Sequence, residues 1–124
     1  MPFYTARINY SGADRLDITA AGQHPIGKIF APTWEIVKMW QNAKKLTEKT
    51  GDPRILAKAE DYYREQYKEQ MRASIHNNGG TWIQVLSQPT VTFVCYCPSG
   101  TFCHRYQLME ILTKELGAIY IGER

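Results

Sequence analysis

The 124-residue chain is 44% apolar and 12% aromatic with a formal net charge of +3, which is material for one domain spanning 1–124 and too little for two. Charges of both signs are mixed along it, so no long-range field demands a polyanion; nucleic acid is permitted as a partner but not implied. No apolar run approaches the roughly 20 residues that cross a bilayer, and the opening residues 1–7 lack a hydrophobic signal stretch, so the expectation is a cytoplasmic protein with no membrane contact.

Residues 3–10, with Phe3, Tyr4, Thr5, Ile8 and Tyr10, suit a pleated half-buried surface and predict a first strand, broken at Ser11-Gly12. Leu16 to Thr19 predicts a second, short strand. Gly22, Pro25, Gly27 and Pro32 then predict an irregular loop over about 20–32. Thr33 precedes a helical spacing of Trp34, Ile36, Val37, Trp40, Ala43 and Leu46 that Thr50-Gly51 ends. Asp52-Pro53 opens a second helix, because Asp caps free amides and Pro tolerates the first helical position. Ile55, Ala59, Tyr63, Tyr67 and Met71 form its apolar stripe, and Glu60, Arg64 and Lys68 its solvated face. Asn77-Asn78-Gly79-Gly80 is read as its end, with one more short helix around Trp82–Leu86. The aromatic side chains Trp34, Trp40, Tyr62, Tyr63, Tyr67 and Trp82 are read as mostly core.

After Pro89, residues 90–97 form a nearly continuous β-branched and apolar run, the pattern of a strand covered on both faces. Pro98-Ser99-Gly100 breaks it. Tyr106, Leu108, Met109, Ile111, Leu112 and Leu116 form a helical stripe from Cys103 onward, closed by Gly117 as a C-terminal cap. Ala118 to Ile121 is the last strand. Strand, helix and strand in so few residues are most economically a right-handed crossover with parallel strands. The expected fold is therefore α/β: a small Rossmann-like three-layer domain with a mainly parallel sheet and a C-terminal β-α-β unit.

In such sheets ligands gather beyond the carboxyl ends of the strands, where Cys97 to His104 falls. A helix amino end favours anions, and Arg105 could clamp one bidentately. The preferred reading is a site for a small phosphate-bearing, nucleotide-like ligand formed by Cys95, Cys97, Ser99, Gly100, His104 and Arg105, helped by Arg7, Tyr10 and Asp17. The same field would lower the pKa of Cys103 towards a reactive thiolate, with His104 assisting, so a Cys-dependent enzyme acting on a nucleotide or nucleic-acid substrate is the first alternative. A small zinc-binding protein is the second, because Cys95, Cys97, Cys103 and His104 offer four ligands, though not at the usual Cys-x-x-Cys spacing. No phosphate-loop, hydrolase or metalloprotease signature accompanies the loop. No cofactor is assigned, and a homo-oligomer is compatible with the sequence.

The run Val91 to Cys95, seven intervening residues and then Cys103-His104-Arg105 resembles the family called domain of unknown function 488. The likeness extends to Thr5–Gly12, Leu16–Thr19, Phe30-Ala31-Pro32 and Leu116–Glu123, and it is to the short subgroup with Cys-Tyr-Cys. That resemblance implies a small Rossmann-like α/β domain from bacteria or their phages and brings no settled activity. Position 97 is often acidic in the family, and Cys97 departs from that pattern.

Overall fold

A computed structural model describes residues 1–97 and 100–124, and Pro98 and Ser99 lie outside the described residues. Eight elements follow one another: β1 (Pro2–Arg7), β2 (Arg15–Asp17), a 3-10 turn (Gly27–Phe30), α1 (Trp34–Thr50), α2 (Pro53–Leu86), β3 (Thr92–Cys95), α3 (His104–Leu116) and β4 (Ile119–Glu123). The four strands form one parallel sheet in the order β2-β3-β1-β4. The α/β class and the parallel β3-α3-β4 crossover expected above are both present.

The two faces of the sheet are covered differently. Phe3, Leu16, Phe93 and Cys95 belong to the main apolar cluster with Phe30, Tyr63, Tyr67, Trp82 and Leu108 of the helical side. Ala6 and Val94, pointing the opposite way, are equally inaccessible, but lie outside that cluster. On their side the chain returns from β1 to β2 through residues 8–14. Asp14 there accepts a hydrogen bond from Thr92 Oγ at 2.9 Å, and Arg124 lies 3.6 Å over the Tyr4 ring. The third layer is thus irregular chain instead of helix.

Several element boundaries differ from the sequence expectation; β2 covers Arg15–Asp17 and β3 only Thr92–Cys95. β1 stops at Arg7, because Tyr10 N–H bonds back to the Arg7 carbonyl in a turn. The break expected at Asn77–Gly80 is a kink: Asn78 leaves helical geometry (φ −131°, ψ 26°) and joins two helical stretches, the second of which runs on to Leu86. The bend is held from both sides. Trp82 Nε1 donates to Ser74 Oγ at 3.0 Å, Ser74 donates to the Ile29 carbonyl at 2.6 Å, and Trp82 packs on Phe30 at 4.6 Å between ring centroids. The low helix propensity of the Asn-Asn-Gly-Gly run shows as that kink, and tertiary packing fixes its geometry. Trp34 and Tyr62, read as core, are about half exposed.

The last strand carries the irregularity that matters for the site. Phe3 pairs with Tyr120, but Tyr4 pairs with Gly122, so Ile121 is an extra residue. Gly122 adopts φ 151°, which a residue without Cβ accepts readily. Such a bulge reverses the alternation of faces. It puts Glu123 opposite Thr5, on the helix-covered face, whereas a regular strand would turn it away.

The Phe93 ring meets Phe3 at 5.9 Å and Phe30 at 5.4 Å, joining two strands to the 3-10 turn. Phe93→Ala should lower the unfolding free energy by about 3–5 kcal/mol in urea titration; a loss below about 1 kcal/mol would contradict this packing.

Candidate active site

The carboxyl ends of β2 and β3, the start of α1, the middle of α2 and the start of α3 enclose a pocket of about 170 Å³. Trp34, Val37, Trp40, Tyr63 and Phe102 make much of its wall, and Cys95, Cys97, Cys103 and His104 close one end. Trp40 and Phe102 lie nearly parallel, 21° apart, with centroids at 5.7 Å. Trp40 is fixed by its indole N–H, which donates to Glu60 at 3.3 Å.

Arg105 lies behind the thiols with no exposed surface. Its Nη1 is 3.0 Å from Cys95 Sγ, 2.7 Å from the Cys97 carbonyl and 3.5 Å from Cys103 Sγ. Its Nε donates to Glu123 at 3.0 Å, and its Nη2 donates to the Tyr106 hydroxyl at 3.0 Å. Tyr106 in turn donates to Glu123 at 2.8 Å and accepts the Gly100 amide at 2.9 Å. The guanidinium is therefore enclosed by acceptors from β3, β4 and α3, as a buried cation must be.

The three sulfurs do not share this charge equally. Hydrogen bonds from Cys103 and Cys97, and a smaller one from Arg105, hold the Cys95 thiol far below its ordinary value despite burial. The same contacts with Cys95 and Cys97, together with burial, push Cys103 far up. At Cys97 the Cys103 contact favours ionisation, but the Cys95 contact, burial and the Cys95 charge outweigh it, and its thiol is also raised. One anion shared among three sulfurs settles on Cys95. Because the folded value of Cys95 lies below the unfolded one, its ionisation contributes stability present in full above the unfolded value of about 8.5 and lost as pH falls towards the folded value.

His104 is buried, and burial keeps its imidazole neutral. Its Nε2 lies 2.8 Å from the Ile18 carbonyl; a carbonyl only accepts, so Nε2 carries the proton and Nδ1 is the acceptor. Cys95, Cys103 and His104 present ligand atoms within 4.8 Å of one another, a grouping that could hold a soft metal ion. The guanidinium beside Cys95 already supplies positive charge there, which suits a thiolate–guanidinium pair better than a divalent ion.

Several residues expected at the site are elsewhere. The Tyr10 hydroxyl donates to Asp14 at 2.7 Å, on the other face of the sheet. Asp17 turns to its own strand end, accepting the Thr19 amide at 2.9 Å and hydroxyl at 2.7 Å. Arg7 is exposed and pairs in register with Cys95, but it does not line the pocket. The Gly100 amide is taken by Tyr106, and Ser99 is outside the described residues. Arg105, expected as an anion clamp, is committed to protein groups, and the thiolate expected at Cys103 falls to Cys95.

The family model of the active DUF488-N3 subclade matches residues 24–116. The chain belongs to the DUF488 family. In this DUF488 member the matched span holds α1, α2, β3 and α3, hence every element lining the pocket except the end of β2; Glu123 lies beyond it. No curated protein and no solved structure matches the chain.

Sequence reasoning overlooked Glu123 and Tyr106, whose signal is only a Tyr following the Cys-His-Arg triplet and an acid near the chain end. Arg105→Met should leave a buried sulfur anion without its cation and cost about 3–5 kcal/mol in urea titration. Glu123→Gln, at a carboxylate with about a quarter of its surface exposed, should cost less.

Proposed function

We propose that this DUF488 protein is a thiol-dependent enzyme in which Cys95 is the nucleophile and a small molecule with a flat, nucleobase-like ring is the substrate. The observation that carries this reading is the 3.0 Å contact between Cys95 Sγ and a fully buried guanidinium at the wall of an aromatic pocket. An anion held there by Arg105 and two thiol donors is available at neutral pH, yet opens onto space where an electrophile fits.

The flat-ring preference rests on the aromatic lining of Trp34, Trp40, Tyr63 and Phe102, with Trp34 about half exposed. Aromatic faces of this kind accept a planar heterocycle of either charge or none. A phosphate, by contrast, finds no lysine or arginine among the described residues lining the pocket. Any phosphate on the ligand belongs outside it. His104, neutral with Nδ1 as acceptor, is placed to receive a proton from a thiol or from substrate.

Alkylation by iodoacetamide tests the nucleophile. At about pH 6, where an ordinary thiol is largely protonated, Cys95 should be carboxamidomethylated at least tenfold faster than Cys103, as read by fragment-ion mass spectrometry. Cys95→Ser should abolish the fast phase and Cys103→Ser should retain labelling at Cys95. Preferential labelling of Cys103 at that pH would sink the assignment.

A further inference from the structure

Buried aromatic side chains with polar heads ordinarily satisfy them, and this helical layer follows the rule with one exception. The Tyr67 hydroxyl donates to the Phe30 carbonyl at 2.8 Å, the Trp82 indole to Ser74 at 3.0 Å and the Trp40 indole to Glu60 at 3.3 Å. Tyr63 is only 5% exposed, and its hydroxyl forms no hydrogen bond with any described residue, yet it is not sealed from water as an orphaned buried atom would be. Its ring is held in place, edge-on to Phe102 at 5.1 Å and stacked with Tyr67 at 6.4 Å. It lines the same pocket as Cys95, Cys97 and Cys103. A fixed donor with no protein partner, lining the same pocket as a nucleophile, is what charge developing on a bound substrate requires.

We propose that Tyr63 is a catalytic residue, the proton donor to the substrate atom that becomes negative when Cys95 attacks. This rests on Cys95 being the nucleophile. In the step, the Cys95 Sγ lone pair forms a bond to an unsaturated carbon, the π pair of the C=X group (X being oxygen or nitrogen) moves onto X, and X takes the Tyr63 proton. One negative charge leaves sulfur and one appears on the phenolate oxygen, so charge and atoms balance. The substrate class follows: a carbon doubly bonded to, or conjugated with, a ring oxygen or nitrogen.

The electrostatics give the step an order. Burial, and then the nearby sulfurs, hold the Tyr63 phenol well above its ordinary value, so it is protonated before attack. Consuming the Cys95 charge removes part of that repulsion, and the proton becomes easier to release as the S–C bond forms.

Two reagents separate this role from mere thiol reactivity. Iodoacetamide expels iodide and needs no proton donor, whereas N-ethylmaleimide places negative charge on a carbonyl oxygen as sulfur adds. Rate constants at Cys95 are measured for the intact chain, for Tyr63→Phe and for Tyr67→Phe. Tyr63→Phe should leave the iodoacetamide rate within about twofold and slow the maleimide reaction by about tenfold or more, the low end of general-acid contributions. Tyr67→Phe, whose lost hydroxyl is bound to Phe30, should leave the ratio of the two rates unchanged. An unchanged ratio in Tyr63→Phe, with both rates intact or both reduced alike, overturns the role of Tyr63 and leaves that of Cys95 standing. Failure of both reagents to prefer Cys95 in the unmodified chain overturns the two together.

Discussion

A guanidinium with no access to water sits between a carboxylate of the last strand and a sulfur of the central one, and much of the local architecture serves to make that placement tolerable. Arg105 is one residue into α3, so its position is set by where the helix starts, with extended Cys103 as the N-cap. Burying such a cation without partners would cost several kcal/mol. The bulge at Ile121 supplies one partner by turning Glu123 to the helix-covered face, and the end of β3 supplies others through Cys95 and the Cys97 carbonyl. Tyr106 completes the set by accepting from Arg105 and Gly100 while donating to Glu123.

From that constraint the chemistry follows by electrostatics. Three thiols close together beside one buried cation cannot all be alike: hydrogen bonds from Cys103 and Cys97, with a smaller one from Arg105, favour the negative charge on Cys95. In the proposed function Cys97 and Cys103 support the reactivity of Cys95 without sharing it. The proposed substrate preference rests on the pocket and not on these charges. Much of the pocket wall comes from α1 and α2, elements far from the Cys-His-Arg motif in sequence, and among the described lining residues they offer aromatic side chains and the Tyr63 hydroxyl and no lysine or arginine.

Much of the fold was legible in the residues. The β-branched run before Cys95, the Asp52-Pro53 helix entry and the Gly117 cap each encode a local conformation, and parallel pairing follows from the short joints around α3. The interruption at Asn77–Gly80 with helix resuming to Leu86 was legible too, but the geometry of the kink, held by Trp82 reaching Ser74 and Phe30, is a contact no local propensity contains. The locality of the site was also readable, since Cys95, Cys97, Cys103, His104 and Arg105 converge as their spacing suggested. Which sulfur ionises was not: sequence places Cys103 at the helix start, but only coordinates reveal that Arg105 Nη1 is 3.0 Å from Cys95 and 3.5 Å from Cys103. Tyr63 was similarly hidden, because a tyrosine on an apolar helical stripe reads as core until its neighbours' hydrogen bonds are traced.

The central claim is that one sulfur, and only one, is anionic at neutral pH. Ultraviolet thiolate absorbance followed through a pH titration of the native protein measures this directly. The account predicts one equivalent of thiolate persisting below about pH 6, well under the ordinary thiol range, and its disappearance in Cys95→Ser. Absorbance that appears only around pH 8–9, with no equivalent present at neutrality, would contradict it.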